Sequence, residues 1–214
     1  MKPYYEHGGI TIYHGDCSAV VASFSPHFGD KLFDLLMTDP PYGLKADRDR
    51  NTPEHGWVDY GLSGWDGQPA DSETLALMRS VCRKHVIWGG NYFDLPATGG
   101  WLVWDKGQRN FSLADGELAW TSEKRALRIF TYSRALALKD GKQHPTQKPQ
   151  ALIAWCFSLF PDVRSVFDPY LGSGTTLVEA KRIGLSAVGC DKDERCCEIA
   201  AKRLSQEALP LGVA

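Results

Sequence analysis

The feature that most limits the possible folds is an apolar run, Leu32-Phe33-Asp34-Leu35-Leu36-Met37, which leads into Asp39-Pro40-Pro41-Tyr42. A short apolar run that ends in a carboxylate, two prolines and an aromatic residue is typical of a buried parallel strand that reaches the edge of a sheet. In open α/β sheets, ligands bind outside the carboxyl ends of such strands. We therefore expect chemistry at Asp39.

The tetrapeptide combines groups that suit the recognition of an amino group. Two consecutive prolines fix φ and remove two backbone donors, so the strand end presents carbonyl oxygens and the Asp39 carboxylate without competing N–H groups. Tyr42 adds a flat face on which an extruded base could stack, and Gly43 allows a tight pocket. The alternative interpretation is a Pro-Pro turn capped by a surface aspartate.

A second strand end carries glycines. Ser165-Val166-Phe167 is predicted to be a strand, and Asp168-Pro169-Tyr170-Leu171-Gly172-Ser173-Gly174-Thr175-Thr176 connects it to a helix over 177–183. Such glycines let the backbone approach a ligand at a helix N-terminus. The third glycine of the dinucleotide fingerprint and the lysine of a phosphate loop are missing, so a phosphate cofactor is disfavoured. Asp191 ends the next predicted strand, 187–191, where an acid can hold ribose hydroxyls.

The remaining patterns complete an α/β fold with a mostly parallel twisted sheet and helices on both faces. Asp16 follows a predicted strand over 10–13 and is also compatible with a helix N-cap alone. Asp71 is predicted to begin a helix. Further strands are predicted over 85–88, 101–104, 117–120 and 127–132, with a hairpin formed by the last two, and further helices over 150–160 and 193–204.

A polar segment, His144-Pro145-Thr146-Gln147-Lys148-Pro149, precedes the helix over 150–160. Thr146, Gln147 and Lys148 offer a hydroxyl, an amide and a cation close to a helix start, which suits a ligand carboxylate. A capping role alone is the alternative.

The length of 214 residues, with 43% hydrophobic and 23% charged residues, indicates a single globular domain over 1–214. Residues 44–70 are rich in Gly and Pro, and the aromatic residues there are interleaved with basic ones. This composition fits either a mobile lid that orders on nucleic acid or a solvated loop. The aromatic residues are Trp57, Tyr60 and Trp65, and the basic ones are Lys45, Arg48 and Arg50.

The net charge of -2 gives no global sign of nucleic-acid binding, but the charge is uneven. Residues 124–148 contain seven basic side chains and one acidic one, a local charge of +6. This segment fits a face that contacts DNA phosphates, with a solvated basic loop as the alternative.

Six cysteines without C-x-x-C spacing indicate buried thiols of a reduced protein, and we expect no metal site. No apolar run reaches membrane length and the first residues lack a signal-peptide core, so a cytoplasmic location is expected.

Three segments together resemble the S-adenosylmethionine-dependent DNA amino-methyltransferases. Asp39-Pro40-Pro41-Tyr42 matches their catalytic motif, 167–176 resembles their cofactor loop, and 144–149 looks like the segment that contacts the methionine end of the cofactor. The catalytic motif precedes the cofactor loop, which is the permuted order of the β group of that family.

The resemblance implies specific roles. Asp39 and the carbonyl of Pro40 or Pro41 would accept hydrogen bonds from the target amino group, and Tyr42 would stack on a base flipped out of double-stranded DNA. The implied cofactor residues are Asp16 near adenine, Asp191 at the ribose, Asp168 at the methionine amine, Thr146, Gln147 and Lys148 at the carboxylate, and Tyr170, Gly172, Ser173, Gly174 and Thr175 along the loop. Tyr170 and Asp191 stand where the family usually has Phe and Glu, which predicts altered affinity rather than lost binding.

The resemblance leaves several alternatives open. Asp at the first position of the tetrapeptide favours adenine N6 over cytosine N4. The region between the strand near Trp120 and His144 is short, which is compatible with relaxed sequence specificity, and family relatives often form homodimers. RNA-base and protein-glutamine methyltransferases have a similar tetrapeptide, but theirs is Asn-Pro-Pro-Tyr and follows the cofactor loop. Both the first residue of the tetrapeptide and the order of the motifs differ here. A non-catalytic DNA-binding relative is the remaining alternative.

Overall fold

The structure is a computed structural model, which describes residues 1–24, 31–44, 67–109, 114–139 and 147–206. Its strands are β1 (Tyr5–His7), β2 (Ile10–His14), β3 (Phe33–Thr38), β4 (Cys82–Trp88), β5 (Leu102–Asp105), β6 (Gly116–Thr121), β7 (Arg128–Thr131), β8 (Ser165–Asp168) and β9 (Ser186–Asp191). Its helices are α1 (Cys17–Phe24), α2 (Ser72–Ser80), α3 (Arg134–Lys139), α4 (Gln150–Ser158), α5 (Thr175–Arg182) and α6 (Glu194–Ser205), with a 3-10 helix at Gly90–Tyr92.

These strands form one sheet in the order β1-β2-β9-β8-β3-β4-β6-β5-β7. The five strands from β2 to β4 are parallel to one another. β1 and β6 run antiparallel to their neighbours, whereas β7 runs parallel to β5. The predicted α/β architecture with a mostly parallel sheet is confirmed.

Both faces of the sheet are buried, which explains the continuous apolar run of β3. Leu35 and Met37 point to one face and share a core with Leu152 of α4, while Leu36 points to the other and shares a core with Met78 of α2. Successive strand residues alternate between faces, so a strand covered on both sides needs apolar residues at every position. Helices α4, α5 and α6 cover the first face, and α1 and α2 cover the second.

The parallel strands all end at the same edge of the sheet. Following the strand order, that edge carries Asp16 after β2, Asp191 at the end of β9, Asp168 at the end of β8 and Asp39 after β3. Four strands that are far apart in the sequence thus bring four aspartates into one row. The topology places the predicted cofactor residues beside the predicted catalytic one.

The predicted hairpin between β6 and β7 is wrong. β5 lies between these strands, antiparallel to β6 and parallel to β7. Local apolar runs locate a strand but do not identify its partner, because pairing depends on distant segments. The short elements β1, α1 and α3 were not predicted, and α1 contains Val20 and Val21, whose branched side chains weaken a helical pattern.

Several predictions fall outside the described residues. They concern residues 45–66 of the segment 44–70 and residues 140–146 of the basic segment 124–148, which include Thr146. The six cysteines are all buried free thiols, as predicted. Within the described ranges, no helix has the length and apolar character needed to cross a bilayer.

Candidate active site

A cleft of about 820 Å³ opens along the carboxyl edge of the parallel strands. This volume lies in the range of small-molecule sites. Most of the predicted site residues line the cleft: Asp16, Asp39, Pro41, Gln147, Lys148, Asp168, Tyr170, Gly172, Ser173, Thr175 and Asp191. The structure thus brings Asp39 and Pro41 into one cavity with most of the predicted cofactor residues, whereas Pro40, Tyr42 and Gly174 do not line it.

Asp39 lies immediately after β3 and has partners at both carboxylate oxygens. The hydroxyl of Tyr42 donates to Oδ1, and the ammonium of Lys148 donates to Oδ2. The side chain is 23% exposed, so one part of it still faces the cleft. Burial raises the pKa of Asp39, in opposition to Lys148, and Glu117 raises it further.

Pro41 and Tyr42 contact the segment 67–71. The carbonyl of Pro41 accepts the N–H of Ala70 at 3.1 Å, and Tyr42 forms an antiparallel bridge with Pro69. Residues 67–71 therefore lie against the tetrapeptide and fix its outer side. Pro41 lines the cleft, whereas Pro40 is buried, and the Pro41 carbonyl keeps a second lone pair beside this contact.

The ring of Tyr42 is held by aromatic and backbone contacts. It stacks on Tyr92, with ring centroids 5.0 Å apart and an interplanar angle of 18°, and it meets the edge of Phe93. Gly89, at φ 66°, lies so close that an added Cβ would come within 2.0 Å of Tyr42 Cε1. Only glycine fits at this position with the ring where it is.

Lys148 is buried and contacts the carboxylate of Asp39. Its ammonium pairs with Asp39 and lies 3.1 Å from Glu117 Oε2, while Lys106 Nζ lies 2.7 Å from Glu117 Oε1. The sequence placed Lys148 at the carboxylate of the cofactor. The structure pairs its ammonium with two carboxylates of the protein instead.

Asp168 is a buried carboxyl group at the centre of the cleft, with 3% of its surface exposed. Its Oδ1 accepts hydrogen bonds from Thr38 Oγ1 at 2.9 Å and from the backbone N–H of Tyr170 at 3.2 Å. Burial raises the pKa of Asp168 to about 7. A cationic group bound beside it would favour the ionised form.

The two glycines of the loop between β8 and α5 serve different purposes. Gly172, at φ 50°, has open space where a side chain would be, and it lines the cleft. Gly174, at φ 78°, faces α6, where an added Cβ would lie 2.6 Å from Ala200 Cβ. The first glycine leaves backbone accessible to a ligand, whereas the second allows close packing of the loop.

Arg203 of α6 holds this loop from behind. Its Nη1 donates to the carbonyl of Ser173 at 2.6 Å, to Ser173 Oγ at 3.1 Å and to Thr175 Oγ1 at 3.1 Å. The hydroxyl of Ser173 in turn donates to Gln147 Oε1 at 3.1 Å. These bonds connect α6, the loop and the segment before α4.

At the far end of the cleft, Asp191 and Asp16 are both tied to the backbone. Asp191 Oδ2 accepts the N–H of Gly172 at 2.9 Å, and burial raises its pKa. Asp16 Oδ1 accepts the N–H of Ser18 at 2.8 Å, so it does cap α1, and its Oδ2 pairs with Lys192 at 2.7 Å. That hydrogen bond with Lys192 lowers the pKa of Asp16.

The predicted basic face loses two of its members to internal contacts. Arg125 donates to the carbonyl of Leu159 at 2.9 Å, and Lys148 is buried in the ion pairs described above. Lys124 and Arg128 are exposed. The positive charge of this segment is thus only partly available to a nucleic acid.

Sequence reasoning missed the contacts of three site residues. The sequence analysis gave no site role to Gly89 or Lys106, which follow predicted strands, or to Glu117, which lies within one. A Glu in an apolar strand and a Lys at a strand end were available signals, but their pairing depends on β5 and β6 being neighbours. Among the described residues, no group of three or more His, Cys, Asp or Glu could hold a metal ion.

Comparisons with known proteins identify the family of this chain. The DNA methylase family model (N6_N4_Mtase) matches residues 87–202, which is more than half of the chain. The type II methyltransferase M2.DpnII of Streptococcus pneumoniae is 25% identical over an alignment that covers 96% of this chain and 93% of that protein.

Two solved structures share the fold. The complex of M1.HpyAVI with SAM has a TM-score of 0.60 at 22% identity and covers 92% of this chain and 100% of that one. The PvuII DNA methyltransferase, described as cytosine-N4-specific, has a TM-score of 0.61 at 18% identity and covers 97% of this chain and 90% of that one. With a family match over more than half of its length, the chain belongs to the N6/N4 DNA methylase family.

Proposed function

We propose that this DNA methyltransferase methylates the N6 amino group of adenine, using S-adenosylmethionine as methyl donor and Asp39 as the acceptor that recognises the amine. The observation that supports this proposal is the position of Asp39. Its carboxylate lies at the end of β3, in the same cleft as the loop that follows β8. A methyl donor and an amine could therefore meet at this point.

The cleft fits S-adenosylmethionine in volume and in the chemistry of its lining. Asp168 would hold the amine of the methionine part, Asp191 the ribose hydroxyls, and the open backbone at Gly172 would lie along the ligand. We assign the ligand carboxylate to the amide N–H groups of Gln147 rather than to Lys148, whose ammonium is paired with carboxylates of the protein. When bound, the cofactor supplies a sulfonium methyl group, and its transfer breaks the carbon–sulfur bond with the electron pair remaining on sulfur.

The protein's contribution is to make the amine a better nucleophile. An exocyclic amine shares its lone pair with the ring, which makes it unreactive. Acceptance of its two hydrogens by Asp39 and by the carbonyl of Pro40 or Pro41 would turn the lone pair out of conjugation. Positioning and fixed dipoles of this kind can supply a large part of the rate enhancement.

The reaction also requires a proton acceptor. After methyl transfer, the nitrogen carries one proton too many and a positive charge. The Asp39 carboxylate, already hydrogen-bonded to that nitrogen, is the nearest base, and it can pass the proton to solvent through the open cleft.

Tyr42 is proposed to stack on the target base after the base leaves the duplex. In the structure one face of its ring is stacked on Tyr92, which is 48% exposed, so the base would take the opposite face of Tyr42 or the outer face of Tyr92. Base–aromatic stacking contributes about 1–3 kcal/mol, which would offset much of the cost of unstacking.

The test is to incubate the protein with unmethylated DNA and S-adenosylmethionine labelled in its methyl group, and then to identify labelled nucleosides by mass spectrometry. We expect labelled N6-methyladenine. Labelled N4-methylcytosine would keep the mechanism and overturn the choice of base. Absence of label in any nucleoside, with cofactor binding demonstrated by calorimetry, would contradict the proposed activity.

A further inference from the structure

The catalytic carboxylate is the first member of a row of alternating charges. Asp39 pairs with Lys148, Lys148 lies 3.1 Å from Glu117, and Glu117 lies 2.7 Å from Lys106. Two carboxylates and two ammonium groups give a net charge of zero. The row joins four separate parts of the fold: the end of β3, the segment before α4, β6 and the end of β5.

This row is largely removed from solvent. The side chains of Lys148 and Lys106 are 8% and 9% exposed. Each ammonium also lies near an aromatic ring, Lys148 at 5.6 Å from the centre of Trp88 and Lys106 at 5.0 Å from that of Trp104. Charges with so little access to water interact strongly, so each member influences its neighbours.

Glu117 competes with Asp39 for the charge of Lys148. Burial opposes ionisation of Glu117, but the two lysines outweigh it and lower the pKa of Glu117 to about 2. Burial likewise opposes the charge on Lys148, yet Asp39 and Glu117 raise its pKa. Lys148 is thus a permanent cation shared by two carboxylates. Asp39 receives only part of its charge and keeps more electron density for a substrate amine.

We propose that Lys148 and Glu117 are positioning residues of methyl transfer. Lys148 fixes the Asp39 carboxylate, and Glu117 offsets part of the positive charge of Lys148, so that Asp39 remains a strong hydrogen-bond acceptor. This inference rests on the proposed role of Asp39. It assigns a function to a glutamate that lies on a different strand from the catalytic tetrapeptide.

Other charged or titratable groups also face Asp39. Tyr42 donates its hydroxyl to Oδ1, and burial raises the pKa of Tyr42, so it remains a neutral donor. Asp168 is near enough for the charge of Asp39 to raise its pKa. A test must therefore change Lys148 and Glu117 while Tyr42 and Asp168 stay intact.

The test is the pH dependence of single-turnover methyl transfer, with saturating S-adenosylmethionine and unmethylated plasmid DNA. The acid limb of this profile reports protonation of Asp39 in the loaded complex. Glu117→Gln removes a negative neighbour, so the limb should move to lower pH by roughly one unit. Lys148→Met removes a positive neighbour, so the limb should move to higher pH by a similar amount. The double variant should lie between the two, because it removes one charge of each sign.

Controls separate this role from a structural one. Thermal unfolding and calorimetric cofactor binding check that each variant is folded. If Lys148→Met alone does not fold, the double variant, which keeps the net charge of the row, is compared with Glu117→Gln. The matched control is an exposed pair on α6, Glu198 and Lys202, with 2.6 Å between Oε1 and Nζ. Glu198→Gln and Lys202→Met should leave the acid limb in place.

The outcomes distinguish this inference from the proposed function. If Asp39→Ala retains turnover, the proposed role of Asp39 fails. If Asp39→Ala is inactive, but Glu117→Gln and Lys148→Met fold and leave the limb unmoved or move it in the same direction, the role of the row is refuted while that of Asp39 stands.

Discussion

Replacement of Gly89 by alanine should displace the ring of Tyr42 without touching the proposed cofactor site. Gly89 follows β4, and an added Cβ would lie 2.0 Å from Tyr42 Cε1, 2.5 Å from Cζ and 2.6 Å from Cδ1. Carbon atoms in contact are about 3.5–4.0 Å apart, so the ring must move by roughly 1.5 Å. Since the ring is stacked on Tyr92 and bonded to Asp39, this movement disturbs both contacts.

The magnitude follows from that displacement. A misplacement of about 1 Å at a reacting centre can cost about 100-fold in rate, which corresponds to about 2.7 kcal/mol of activation free energy. The backbone contributes a separate loss of stability, because alanine at φ 66° costs roughly 1–2 kcal/mol. We therefore expect Gly89→Ala to lower the single-turnover rate about 100-fold while cofactor affinity changes less than about threefold.

Gly184→Ala is the matched control. Gly184 follows α5 at φ 75° and has open space where the Cβ would be, so it carries the same backbone cost without the clash. Both variants should unfold at a lower temperature, by roughly 2–4 °C for each kcal/mol. Only Gly89→Ala should lose activity. A Gly89→Ala protein that transfers methyl groups within threefold of the wild-type rate would refute the fit between this glycine and the Tyr42 ring.

Four further predictions concern the cofactor, the stability of the fold and DNA. Because the pKa of Asp168 is about 7, affinity for S-adenosylmethionine should fall by up to about tenfold per unit as pH drops below 7, and Asp168→Asn should flatten this dependence in calorimetry. Between about pH 4 and pH 7, the Asp168 carboxyl is mostly neutral in the folded state and ionised in the unfolded state. Its stabilising contribution should therefore be complete below about pH 4 and lost as pH rises to 7. A thermal midpoint of the wild type that rises over this range relative to that of Asp168→Asn would contradict this sign. Arg203→Met removes the hydrogen bonds to Ser173 and Thr175 and should weaken cofactor binding about tenfold. An unchanged affinity for S-adenosylmethionine would contradict a role of Arg203 in holding the loop. Arg128→Ala should reduce the slope of log affinity for DNA against log salt by about 1, and an unchanged slope would exclude a phosphate contact at this residue.

The sequence was sufficient for the parts of the fold that local patterns determine. The apolar run of β3 needed no partner to be recognised, because a strand buried on both faces is apolar at every position. Asp71 marked the start of α2, and its Oδ1 accepts the N–H of Thr74 at 2.7 Å. The order of β5, β6 and β7 was not predictable in this way, because strand pairing is set by contacts between distant segments.

The same limit applies to the site. Asp39, Asp168 and Asp191 were found because each follows a recognisable strand, and parallel strands end at one edge. The pairing of Lys148 with Asp39 and Glu117 could not be read from its motif, which indicated only a cation near a helix start. Gly89 was visible as a glycine, but its contact with Tyr42 depends on how the end of β4 meets the end of β3.

The most direct test of the proposed mechanism compares Asp39→Ala with the wild-type protein in two assays, calorimetric binding of S-adenosylmethionine and single-turnover methyl transfer to unmethylated DNA. Asp39 is proposed to hold the amine, whereas the proposed cofactor contacts lie at Asp168, Asp191 and the loop after β8. We expect the variant to bind the cofactor with affinity within about threefold of wild type and to transfer no methyl group. Retained turnover in a folded Asp39→Ala protein would contradict the mechanism.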